Sequence, residues 1–249
     1  MKTQSKNLSN KLIIGFLFPF FVCCVALASG QPKNKTILFD LSHGQNSRNA
    51  ETFKGLLPEN TGETLALNET EITQASLQGK YALIIFSPLK PFQLAEKQAI
   101  EDYLRLGGSL LLIFDEERRM KLQEIRVNDF VAPFGIEYTG DIPARHNCGA
   151  LAEKSKICKG KRELPYSGGR SIKGGKVISR VYDDGNYIHC AWKKLPKGGK
   201  IIMMSDGMAG LLLGKPDGVR FSGTGPSDSK YWGKDSRVFM QEILAFLTK

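Results

Sequence analysis

Four places along this 249-residue chain carry side chains able to do chemistry, and each follows an apolar run. Asp40-Leu41-Ser42-His43-Gly44-Gln45 follows Ile37-Leu38-Phe39, and Ser87 follows Tyr81–Phe86. Asp115-Glu116 follows Ser109–Phe114, and Ser205-Asp206 follows Lys200–Met204. Asp115 or Glu116 with Asp206 could divide general acid and base work between two carboxyls, or coordinate a hard cation such as Ca²⁺. Ser42, His43 and Asp206 match a hydrolytic triad in residue types. A serine adjacent to its histidine makes the required Ser–His hydrogen bond awkward, which counts against that chemistry. A plainer reading has Asp40 and Ser42 capping a following helix while His43 fills a turn.

The elements that must position these groups follow from the apolar pattern. Runs such as Y-A-L-I-I-F and S-L-L-L-I-F lack polar alternation, as strands buried on both faces do. Helical stripes lie between them, over 92–106 and 121–134, the first ended by Gly107-Gly108 and the second by Gly135. Glu63–Leu67 and Ile136–Tyr138 read as further strands and 71–77 as a helical turn or two. Alternating strands and helices predict an α/β fold with a flavodoxin-like, doubly wound, mostly parallel sheet. In such folds ligands bind at the carboxyl edge of the strands. The expected binding set there is Ser42, His43, Gln45, Ser87, Asp115, Glu116 and Asp206.

The rhythm breaks over 141–192, read as an inserted basic loop followed by a β-hairpin. The loop holds K-S-K-I-C-K-G-K-R and P-Y-S-G-G-R, the latter a possible anion cradle with Arg170 as a clamp. The hairpin is expected from 176–181 and 187–192 around Asp183-Asp184-Gly185. Trp232–Asp235 introduces a last amphipathic helix, with Asp235 where a carboxylate favours a helix N-terminus.

Lys2, Lys6 and Lys11 precede an uncharged run of 17 residues, Leu12–Ala28, that ends in A-L-A. This predicts a signal peptide over 1–28 and an exported protein, periplasmic or secreted, with a single domain over 29–249. The alternative is an uncleaved membrane anchor at the short limit of bilayer span. Cleavage lowers the basic residues from 35 to 32 against 25 acidic ones, a net charge of +7. Export and the scarcity of aromatics among the lysines exclude nucleic acid as the expected partner. Three cysteines remain, and an oxidising compartment predicts a Cys148–Cys158 disulfide with Cys190 left over. No C-x-x-C occurs, and His189 and Cys190, adjacent on a strand, point to opposite faces, so no metal site is expected; no cofactor is expected either.

The motifs I-L-F-D-L-S-H-G-Q (37–45), Y-A-L-I-I-F-S-P (81–88), L-R-L-G-G-S-L-L-L-I-F-D-E (104–116), K-I-I-M-M-S-D-G-M (200–208) and G-K-D-S-R-V-F-M (233–240) together resemble the GIFT-type domains of the class I glutamine-amidotransferase-like superfamily. The resemblance runs from Thr36 to the C-terminus. Amidotransferases of this fold place a cysteine nucleophile on the tight turn after the strand matching Leu110–Phe114. That turn here reads Asp115-Glu116-Glu117-Arg118, without a Cys, Ser, Thr or Gly. The resemblance therefore implies a non-catalytic module that binds a small molecule, a glycan or a protein. The competing expectation is a hydrolase, perhaps glycan-directed, using Asp115 or Glu116 with Asp206.

Overall fold

The computed structural model describes residues 35–57, 62–143, 149–166, 168–182, 186–205, 219–220, 231–232 and 235–249. The chain divides after Pro32, and the unit from Lys33 to Lys249 holds every described residue. The signal-peptide segment, Cys148 and Asp206 lie outside them.

The central sheet is built on five parallel strands: β1 (Lys35–Asp40), β2 (Glu63–Asn68), β3 (Ala82–Phe86), β4 (Ser109–Ile113) and β11 (Lys200–Met204). Four antiparallel strands extend it: β6 (Ala150–Ala152), β7 (Arg162–Leu164), β9 (Lys176–Val181) and β10 (Ile188–Lys194). The order is β2-β1-β3-β4-β11-β10-β9-β6-β7. Every residue of β3 and β4 is buried, as their unbroken apolar runs require.

Alternation along the strands makes two cores. Ile37, Phe39, Ile84, Ile113 and Met204 face one way, with Phe53 of α1 (Ser47–Lys54) and Phe239 and Leu244 of α6 (Ser236–Leu247). Leu38, Leu83, Leu112 and Met203 face the other, with Leu77 of α2 (Gln74–Leu77) and Ile100 and Leu104 of α3 (Leu94–Arg105). Each fully buried aliphatic side chain contributes about 1.5–3 kcal/mol relative to exposure. The α/β, flavodoxin-like, doubly wound architecture is thus present.

Three expectations need correction. The helix over 121–134 is broken into α4 (Leu122–Ile125), α5 (Asn128–Val131) and a 3₁₀ turn at Ala132–Phe134. Arg126 takes a left-handed φ of 62° that ends α4, and Pro133 sits in the 3₁₀ turn. The strand near 136–138 does not continue the parallel sheet. It forms β5 (Ile136–Asp141), paired antiparallel with β8 (Arg170–Gly174), and Tyr138 Oη donates to Leu112 O and Met204 O at 2.9 and 2.8 Å. Third, the basic stretch is no long loop, since β6, β7 and β8 lie within it. Their pairing rests on a few buried residues such as Ala150, Ala152 and Leu164, too short a run to show a period. The hairpin of β9 and β10 pairs as expected, with register shifts around Cys190. A short antiparallel pair, β12 (Val219–Arg220) with β13 (Tyr231–Trp232), stands apart.

Cys158 is a buried free thiol, and Cys148, its expected disulfide partner, lies outside the described residues. Apolar burial, aided by the Glu242 charge, raises the Cys158 thiol to about 11. The side chain packs into the core beside Ile157 and Leu164. Among the described residues no helix is long and apolar enough to cross a membrane.

Candidate functional site

Parallel register brings the strand ends to one edge. Leu41 N donates to Asn68 O, Ser87 N to Ile113 O, Phe114 N to Met204 O and Ser205 N to His189 O, at 2.8–3.1 Å. Leu89 N donates to His43 O at 2.8 Å, fastening the loop after β3 to the loop after β1. Ser42, His43, Gln45, Ser87, Asp115, Glu116 and Ser205 therefore all follow carboxyl ends of this sheet, as the sequence implies.

Their environments divide them. His43 is buried, its Nδ1 2.8 Å from Asp40 Oδ2 and its Nε2 3.3 Å from Glu96 Oε2. Its ring stacks on Phe92 with centroids 3.8 Å apart. Glu96 is anchored in turn, accepting from Ile72 N at 2.8 Å and from Gln93 N at 2.9 Å at the start of α3. Desolvation pulls the imidazole pKa down, but the hydrogen bond and charge of Asp40 and the charge of Glu96 outweigh it and hold the pKa above 6.5. His43 is a buried imidazole clamped between two carboxylates that favour its charged form.

Ser42 Oγ lies 2.6 Å from Asp40 Oδ1 and 3.0 Å from His43 Nδ1, so neighbouring serine and histidine do meet. The nitrogen they share is already held by Asp40, and the other faces Glu96. No ring nitrogen is left to serve as a base. Nor do Asp40 and Ser42 cap α1: Asn46 does, accepting from Arg48 N at 2.8 Å. Asn68 completes the network, its Nδ2 3.5 Å from Asp40 Oδ1.

Asp115 and Glu116 are also buried. Asp115 Oδ1 accepts from Glu116 N at 2.8 Å, and Oδ2 lies 3.4 Å from Arg119 Nη1. Burial raises the Asp115 pKa against the lowering influence of the Glu116 amide and Arg119. Glu116 is engaged by Arg118 and by Arg119, the latter at 3.5 Å. Positive φ does not occur over 115–118, so this turn has no nucleophile-elbow geometry. Arg170 is no free anion clamp: it is buried, pairs with Glu117 and donates to Met120 O at 2.8 Å, locking β8 to the loop after β4.

The remaining edge groups are unsatisfied. Both amide atoms of Gln45, the Ser87 hydroxyl and the Ser205 hydroxyl are buried without a hydrogen-bond partner. Ser87 also holds a left-handed φ of 49°, one of three non-glycine residues with positive φ among those described. Such strain at a strand end costs on the order of 1–3 kcal/mol and gathers at functional positions. Gly169 lies so close to Ser205 that a Cβ there would come within 1.9 Å of the Ser205 carbonyl.

Sequence reasoning missed Glu96, Asn68 and His189. Glu96 has a local sign, a glutamate three residues after the N-cap Gln93. His189 has none: its Nδ1 is 2.8 Å from Ser179 Oγ, and complete burial lowers its pKa to about 3, so it is neutral. Among the described residues no group of His, Cys, Asp and Glu is arranged to hold a metal ion. A hollow of ≈ 1220 Å³ opens at the opposite, amino edge of the sheet, against Lys80, Tyr81, Arg105, Leu106, Gly108 and Lys197 among others.

The fold and this edge compare directly with known proteins. Residues 36–148 match the family model of the IFT52 GIFT domain. That GIFT segment runs from β1 to the threshold of β6 and contains the Asp40–His43–Glu96 clamp, Ser87 and Asp115. The mmIFT52 N-terminal domain superposes with a TM-score of 0.61 at 16% identity, over 86% of this chain and 98% of that one. A ThuA-like protein from Bacteroides uniformis gives 0.52 at 13% identity, covering 87% of this chain and 90% of its own. One from Parabacteroides merdae gives 0.51 at 10% identity with the same coverage. At these identities the superpositions establish the fold: an amidotransferase-like α/β domain. None of the curated proteins matches the chain.

Proposed function

We propose that this chain is an exported, non-catalytic amidotransferase-like domain that binds a ligand or protein partner at the carboxyl edge of its sheet. The observation that carries this reading is the unsatisfied set at that edge: the Gln45 amide and the Ser87 and Ser205 hydroxyls. Buried polar groups without partners cost about 1–3 kcal/mol each, a penalty a polar ligand removes. A carbohydrate hydroxyl or a peptide amide offers the matching donors and acceptors. The strained Ser87 backbone supports the same placement. Chemistry is disfavoured because the turn after β4 lacks a nucleophile and both nitrogens of His43 are engaged. Export rests on the basic, apolar and A-L-A pattern of residues 1–28.

Ser87→Ala, Ser205→Ala and Gln45→Ala test this by urea denaturation and by thermal-shift screening of neutral glycans, acidic glycans and peptides. Removing an unsatisfied hydroxyl leaves stability unchanged or raises it, while the shift given by any binder in the screen shrinks. A loss of more than about 1 kcal/mol in both serine variants shows that these hydroxyls have internal partners and ends the proposal.

A glycan-directed hydrolase remains the second reading on one observation, the buried Asp115 carboxyl with its raised pKa, as a general acid requires. Its second carboxylate would be Asp206. Reducing-sugar release that vanishes in Asp115→Asn would replace the binding proposal with this one.

A further inference from the structure

Among the described residues, the amino edge of the sheet, opposite the proposed ligand edge, gathers lysines that form no ion pair. Lys200 opens β11, Lys194 closes β10, Lys176 opens β9, Lys35 opens β1, and Lys156 lies in the β6–β7 loop. Antiparallel pairing sets Lys194 opposite Lys200 and Trp192 opposite Lys176. The Lys156 ammonium stands 4.4 Å from the Trp192 ring centroid and 5.7 Å from that of Phe246. Lys176 is 5.7 Å from Trp192, and Lys200 is 5.3 Å from Phe246. The two rings meet edge to face at 4.8 Å. The aromatic pair thus forms a floor over which three lysine ammonium groups stand.

The cluster repels itself. Lys200 is disfavoured as a cation first by burial, then by the charges of Lys35, Lys156 and Lys194. The lysine ion pairs of the described residues lie elsewhere, at Lys54, Lys97, Lys121 and Lys173. Lys35 connects the cluster to the amino-edge hollow, its ammonium 4.9 Å from the ring of Tyr81, which lines that hollow. Lys80 and Lys197 stand there too, beside Leu106, which is 73% exposed. Val177, next to Lys176, is 39% exposed.

Two features choose among polyanions. Trp192 is 5% exposed beneath Lys156, so no ring face is open to stack a base or a sugar. Apolar side chains stand out among the cations, the pattern of a surface that meets headgroups and the upper acyl region. We infer that the Lys35–Lys156–Lys176–Lys194–Lys200 face docks on an anionic phospholipid surface, leaving the carboxyl edge turned away from the membrane. This inference is independent of the ligand-edge proposal.

Flotation of the full chain, in the form recovered from the cell envelope, tests it with vesicles of phosphatidylcholine alone and with about 30% phosphatidylglycerol. The expected result is tighter partition onto the anionic vesicles, fading between about 0.1 and 1 M salt as screening shortens. Each lysine near an anionic surface adds roughly fivefold to partition, so Lys156→Gln/Lys176→Gln/Lys200→Gln loses about a hundredfold of it. Lys156→Glu/Lys176→Glu/Lys200→Glu abolishes the anionic preference. Lys90→Glu/Lys121→Glu, exposed and away from this face, retains it. Circular dichroism confirms folding of each variant, and the Gln series decides if the Glu series unfolds. Equal partition onto both vesicles overturns the inference, as does a triple Gln variant that keeps the preference. Binding to heparin or an oligonucleotide without preference for anionic vesicles likewise assigns the face to another polyanion.

Discussion

His43→Ala separates a scaffold from a binding surface at the carboxyl edge. In the native protein the imidazole lies between Asp40 and Glu96 at 2.8 and 3.3 Å and stacks on Phe92. Truncation leaves two buried carboxylates without their cation, and breaking a buried ion pair from one side costs about 3–5 kcal/mol. An exposed polar contact would cost less than about 0.5 kcal/mol. The sign of the pH dependence adds a second reading. The folded pKa of His43 stands above the unfolded 6.5. Its contribution is therefore fully present below pH 6.5 and lost as pH rises through the folded value. Urea denaturation of wild type and His43→Ala should show the largest gap near pH 6, narrowing in alkali. Asp40→Asn combined with His43→Ala should cost less than the sum of the two single variants, because one stranded charge is gone. A gap below about 0.5 kcal/mol, or one that ignores pH, would refute the buried-clamp argument and return His43 to the ligand edge.

His189 should act in the opposite direction. With a folded pKa of about 3 against 6.5 unfolded, the unfolded chain takes up the proton first, so stability falls below pH 6.5, by about 2 kcal/mol at pH 5. Acid titration of His189→Gln that keeps this slope would remove the assignment. Cys158, buried with its thiol at about 11, should resist iodoacetamide in the native protein and react once it is unfolded. Mass spectrometry finding Cys158 tied to Cys148 in freshly isolated protein would contradict the free thiol.

Much of the scaffold is legible locally. Y-A-L-I-I-F and S-L-L-L-I-F exclude a half-solvated strand, because each residue on both faces needs apolar cover. The polar turn after each run then marks the carboxyl edge, and parallel winding gathers these turns whatever their identity. The missing nucleophile after β4 is equally a matter of sequence, since no fold can supply a side chain that is absent. Strands β6, β7 and β8 are another matter. Three to five residues cannot display a period, and they pair only because β9 and β5 offer them open edges.

What a polar residue does at the edge was decided by tertiary structure alone. Asp40, His43 and Glu96 are separated by up to 56 positions, from 40 to 96, and only the packing of α3 against β1 makes them one ionic clamp. Tertiary packing also leaves Gln45, Ser87 and Ser205 with buried, unpaired polar atoms, a distinction that residue type does not carry. The lysine face of the amino edge is likewise drawn from β1, β9, β10, β11 and the β6–β7 loop, joined through Trp192 and Phe246. Sequence sets which groups are available and where each strand ends. Burial, charge pairing and solvent access are long-range quantities, and they exist only once distant segments have met.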